Sequence, residues 1–133
     1  MLDSLRLVEP VRPREGGAST SQGRPHSIFK RAIQRRNVVA ALAAARELPE
    51  LSLGDALELT LLVARKDPAR HSRIAARWLL RYLEEDPDAT IEEASLAASC
   101  PAALPGRRYV EASQTLKALA ETATRRRSEQ GMA

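Results

Sequence analysis

After Pro25, apolar residues recur at intervals of three and four along most of the chain, which is the spacing of one face of an α-helix rather than of a strand. Ser27 can cap a short basic helix over 28–36, in which Phe29, Ala32 and Ile33 share a face. Asn37 interrupts or caps there, so this helix either ends or runs on into the next. Val38, Ala41, Leu42 and Ala45 predict a second helix over 38–48, stopped by Pro49. Ser52 with Asp55 three residues later is an acidic variant of the capping box, and Leu53, Ala56, Leu57, Thr60, Leu61 and Ala64 carry the period behind it. Pro68 suits the first turn of a helix over 68–85, where Ile74, Ala75, Trp78, Leu79 and Tyr82 make the strongest apolar stripe of the chain. Thr90 and Glu93 form a capping box in the strict sense and open a helix over 91–99 that ends before Pro101. A last helix over 108–126 turns Val110, Ser113, Leu116, Leu119, Ala120 and Ala123 inward. The expectation is an all-α array of five or six helices.

Composition reinforces that expectation. The apolar surface comes from Ala and Leu, the best helix formers, while Phe29, Trp78, Tyr82 and Tyr109 are the only aromatic residues. A length of 133 residues suits one domain and leaves no room for a second independent core. The segment PVRPREGGASTSQGRP, from Pro10 to Pro25, holds prolines, glycines and small polar residues with nothing to build a core from. The predicted division is a flexible N-terminal arm over 1–25, a helical domain over 26–127 and a polar tail over 128–133. Within the arm, Leu2, Leu5, Leu7 and Val8 form a small apolar cluster able to dock on the domain or on a partner.

Pro49, Pro68, Pro87 and Pro105 follow one another at 19, 19 and 18 residues, so each interval holds about one helix with its turn, and two intervals span 38. Helix-pair repeats run roughly 34 to 47 residues, and a short helix-pair solenoid is compatible with this spacing. Ala75, Leu79, Tyr82 and Pro87 are similar in spacing to the second half of a tetratricopeptide motif. Two positions depart from it: Tyr82 stands where that family places a small residue, and Glu93 where it places an aromatic one. The resemblance implies an architecture of paired helices and no ligand. The segment LSLGDALELTLLVARKDPARHSRIAARWLLRYLEEDP also resembles small, uncharacterised Ala- and Arg-rich proteins of actinobacteria. That resemblance covers less than half of the chain and implies a bacterial, cytoplasmic, helical protein, with no active residue to transfer.

Candidate chemistry is sparse. His26, His71 and Cys100 are the only nitrogen or sulfur ligands apart from charged side chains, and their spacing fits no metal motif. Glu84, Glu85, Asp86 and Asp88 lack the turn glycine of a calcium loop and read as a solvated helix end. Cys100 sits among Ala97, Ala98 and Pro101 and reads as a small buried hydrophobe, and His71 as a packed histidine. Neither Gly16-Gly17 nor Gly106 has the pattern of a phosphate loop. Catalytic residues, metal and cofactor are therefore not expected. One cysteine forms no disulfide within the chain, and no stretch reaches the roughly 20 apolar residues of a membrane span, so a cytoplasmic, non-membrane protein is expected.

Charge supplies the one distinctive pattern. Lys and Arg total 21 against 17 acidic residues, for a net charge of +4, and nearly all of the cations are arginine. Arg70, Arg73, Arg77 and Arg81, at steps of three, four and four, fall within about 80° of arc on one helix, opposite Ile74, Trp78 and Tyr82, and Lys66 precedes them. Lys30, Arg31, Arg35 and Arg36 make a second cluster, and Arg125, Arg126 and Arg127 a third. These nine residues of the first two clusters form the candidate binding surface. The expected role is a non-catalytic adaptor that binds another protein; the alternative is an accessory protein that binds nucleic acid through phosphate contacts. A modest net charge, no Asn or Gln on the Arg-rich helix, and no aromatic residues between the arginines weigh against base reading and stacking. Sequence sets no oligomeric state.

Overall fold

The computed structural model describes the backbone of residues 17–132 and the side chains of 24–131. Every regular element among them is helical: α1 (Gly17–Gln34), α2 (Val38–Glu47), α3 (Leu53–Lys66), α4 (Pro68–Glu85), α5 (Ile91–Ser99), a 3₁₀ turn (Cys100–Ala103) and α6 (Tyr109–Met132). The all-α expectation holds.

Local signals set most boundaries. Ser52 Oγ accepts from the Asp55 amide at 3.0 Å, and Asn37 Oδ1 accepts from the Ala40 amide at 3.0 Å. The Thr90 box is complete, with Thr90 Oγ1 accepting from the Glu93 amide and Glu93 Oε1 from the Thr90 amide. Asp55 does not close its own box: its carboxylate instead accepts from Lys30 Nζ and pairs with His26 Nε2, each at 3.0 Å, which pins α1 to α3. The prolines play two parts. Pro68 opens α4, where its missing N–H is no loss, whereas Pro49 and Pro87 stand just beyond helix ends.

Both ends differ from expectation. The helix expected over 28–36 behind a Ser27 cap begins at Gly17 and ends at Gln34, so Ser27 lies inside it and 17–25, assigned to the arm, is helical backbone, while 1–16 lies outside the described residues, as does the apolar cluster within it. Pro25 sits inside α1 because a helix that loses one backbone bond at a proline can still propagate on both sides of it. At the other end α6 extends to Met132 and takes in most of the expected tail, since Arg125 to Gln130 is a run with no breaker.

The α1–α2 junction hides a backbone feature. The Arg36 amide donates to the Ile33 carbonyl and the Asn37 amide to the Ala32 carbonyl, a Schellman motif that places Arg36 at φ 59°. Glycine is the usual residue in that left-handed conformation. Arg36→Gly is expected to raise stability by about 1 kcal/mol in urea denaturation, and an unchanged midpoint would count against the strain.

Packing is organised around α3, which is buried on both sides. Leu53, Leu57, Leu61 and Ala64 join Trp78, Tyr82, Ala97, Leu104, Leu116 and the small residues of α6 in one cluster. Leu59, Leu62 and Val63 join Phe29, Ala32, Ala41 and Ala44 in the other. Thus α1 and α2 form a hairpin on one side of α3, and α4 to α6 enclose the other. Trp78 stacks on Tyr82 with ring centroids 5.4 Å apart and donates Nε1–H to the Leu53 carbonyl at 3.2 Å. His71 is buried, and its Nε2 must carry the proton because it faces the Pro101 carbonyl oxygen at 2.7 Å. Val110, expected to point inward, is 60% exposed; Ala112 takes its place in the core.

Candidate functional site

The α4 helix meets the rest of the fold through Ala75, Trp78 and Tyr82, so the 3.6-residue repeat directs Arg70, Arg73 and Arg77 to the opposite, exposed side. Arg81 lies at the end of this stripe and is half-buried. On the flank of the stripe, α2, α3 and α4 bound a groove of about 790 Å³. Leu42, Ala45, Ala56, Leu59 and Ile74 supply its apolar surface, and Arg46, Arg70, Arg73, Arg77 and Arg81 its charge. No acidic residue lines it.

Two of these arginines are partly neutralised from outside the groove. Arg70 pairs with Asp67 at 3.3 Å, and Arg81 donates to Glu85 at 2.6 Å. Among the described residues, Arg46, Arg73 and Arg77 have no ion-pair partner. Cations gathered along one groove without carboxylates in its lining raise the local positive potential, which favours an anionic occupant.

The other expected basic residues do not converge on this groove. Lys66 and Arg36 meet, together with Arg65, at a smaller depression of about 310 Å³ that also contains Glu58 and the Tyr109 ring. Arg65 lies over that ring at 4.4 Å, joining α3 to the start of α6. Lys30 is committed to Asp55, while Arg31 is exposed on α1 and Arg35 in the turn that follows it. Partial burial pushes the Asp55 carboxyl up, yet the hydrogen bonds from His26 and Lys30 outweigh it and hold the group below its ordinary value.

The third arginine cluster is largely structural. Arg126 bonds Asp86 at 3.0 Å and grips Glu93 with both terminal nitrogens, at 3.0 and 3.2 Å, and Arg127 reaches Glu85 at 3.4 Å. These bonds tie the end of α4 and the start of α5 to α6. The Arg126 guanidinium, with the Thr90 amide, lowers the Glu93 carboxyl below its usual range. Burial, followed by the charges of Asp86 and Glu93, pushes the Tyr82 phenol up. Glu85 and Asp86 thereby act as internal partners, and Asp88 accepts from Gln130 at 2.6 Å. No group of His, Cys, Asp and Glu able to hold a metal occurs among the described residues. Burial raises the Cys100 thiol, which disfavours the thiolate that nucleophilic chemistry uses.

Arg46 is the groove residue that sequence reading missed. It lies one turn after Leu42 on α2, but only the docking of α2 beside α3 shows that it faces the α4 stripe. No helix of the described residues is long and apolar enough to cross a membrane. Comparison with protein-family models, curated proteins and solved structures gives no match.

Proposed function

We propose that this chain is a non-catalytic helical adaptor, and that the groove between α2, α3 and α4 is where it holds another protein. The observation that carries the reading is the pairing of an apolar lining with five arginines and no carboxylate. Protein segments offer apolar and acidic side chains together, and a groove between packed helices is a common way to bind them. The α1–α2 and α3–α4 hairpins, joined through α2 and α3, support describing the chain as a short helix-pair array. A single, partly buried cysteine fits a reducing, cytoplasmic setting.

The test is capture from nuclease-treated extract of the source organism, comparing the wild-type chain with Arg73→Glu/Arg77→Glu. Both positions are exposed, so the fold is expected to persist, and circular dichroism checks it. The expected result is a protein retained by the wild type and reduced at least about tenfold by the double variant. Retention that is equal for the two chains would contradict the reading.

The regular α4 stripe supports a second reading, sequence-independent binding to nucleic acid phosphates. It requires low-salt binding of an oligonucleotide, with an affinity that falls steeply as salt rises and a slope that flattens in the double variant.

A further inference from the structure

The geometry points to the class of segment that fills the groove: we infer that its occupant is an acidic, amphipathic helix of the partner protein, lying lengthwise along α4. This rests on the adaptor reading and goes one step beyond it.

Three features carry it. First, Arg70, Arg73, Arg77 and Arg81 repeat at helical intervals. They span about 16 Å of the α4 axis at 1.5 Å per residue. A second helix laid alongside repeats at the same pitch, so Glu or Asp at its own steps of three and four can meet each arginine in turn. Second, Arg46 approaches from α2 on the other wall, so cations flank the apolar strip formed by Leu42, Ala45, Leu59 and Ile74. An amphipathic helix with an apolar stripe beside its acidic one satisfies both surfaces at once. A phosphate backbone would leave the strip uncovered. Third, the groove offers no stacking platform for bases: Trp78, its one aromatic residue, is 2% exposed, stacked on Tyr82, and has spent its N–H on Leu53. Arginine suits carboxylate partners, since its planar fork can take both oxygens of a Glu or Asp.

The full chain is titrated by fluorescence anisotropy with three labelled synthetic peptides of identical composition apart from one residue, and with a single-stranded oligonucleotide of equal charge. The first peptide places Glu at every third and fourth position with Leu on the adjoining face. The second scrambles that order, and the third carries a central proline that breaks the helix. The ordered peptide is expected to bind at least about tenfold more tightly than either of the others. Its binding should be lost in Arg73→Glu/Arg77→Glu and kept in Arg35→Glu, whose side chain lies outside the groove. Equal binding of all three peptides, tighter binding of the oligonucleotide, or no binding of the ordered peptide overturns the inference. Capture of a protein partner that depends on Arg73 and Arg77, together with any of those results, removes the helical occupant while leaving the adaptor reading in place. Loss of both removes both.

Discussion

Leu57→Ala is expected to destabilise the protein by about 3 kcal/mol, and Phe29→Ala by about 4 kcal/mol, because each truncates a fully buried side chain and leaves a cavity in its cluster. Leu57 is 1% exposed in the cluster beneath α4 and α6, and Phe29 is 0% exposed in the cluster beneath α1 and α2. More informative than either magnitude is how the two clusters are coupled. They share α3, whose opposite faces serve one cluster each, so they are expected to unfold together. Trp78 is the only tryptophan and reports on the first cluster alone. Phe29→Ala, in the second cluster, should therefore move the urea midpoint of Trp78 fluorescence as far as it moves that of circular dichroism. A fluorescence midpoint unmoved by Phe29→Ala would mean that α3 does not couple the two halves.

Arg126→Met is expected to be the most damaging substitution of any arginine. It leaves the Asp86 carboxylate, 2% exposed as a residue, without its cationic partner, and it cuts the link from α6 to the α4 and α5 ends. Arg125→Met, one position away and exposed, is the control and should melt close to wild type. The sign of the pH dependence follows from Glu93. Arg126 lowers its folded-state carboxyl below the unfolded value, so the stabilisation is complete at neutral pH. It is lost as the pH falls from about 4.3, the unfolded value for Glu, through the lower folded one. Wild-type stability should thus decline in acid, and the gap between wild type and Arg126→Met should narrow from pH 7 to pH 3. Asp55 is lowered as well, through His26 and Lys30, but it is the same in both proteins and cancels from the difference. A gap of equal size at both pH values would show that Glu93 contributes nothing through Arg126.

The helices were legible because their boundaries rest on local chemistry. Ser52, Thr90 and Pro68 act within one turn of their own position, and each stands at the start of a helix as its residue type demands. The α4 stripe was legible for the same reason, as a consequence of period alone. What failed was the outer ends of α1 and α6, the backbone of one helix end, and whatever remote packing decides. Asn37 reads as a cap or a break, but nothing in its neighbours announces that Arg36 takes the left-handed conformation usually left to glycine. Leu59, Leu62 and Val63 fall off the main stripe of α3, and their burial follows only from a second hairpin packing on that helix. The three basic clusters looked equivalent in sequence because their partners are remote: Asp86 and Glu93 stand 40 and 33 residues from Arg126, and Asp55 stands 25 from Lys30. Those carboxylates separate structural cations from the ones left to face a groove, and Arg46 joins the latter only through tertiary packing.

If the arginine-lined groove is the surface that meets a partner protein, a photo-crosslinking residue placed at Ser72 reads the contact most directly. Ser72 is exposed, lines the groove and is not one of its arginines. With irradiation in cells and nuclease treatment of the extract, the expected result is a discrete protein adduct from position 72. It should be absent when the same residue is placed at Gln114, exposed on α6, and lost when Arg73 and Arg77 are reversed to Glu. Adducts of equal yield from both positions, or a signal at position 72 that nuclease removes, would contradict the account.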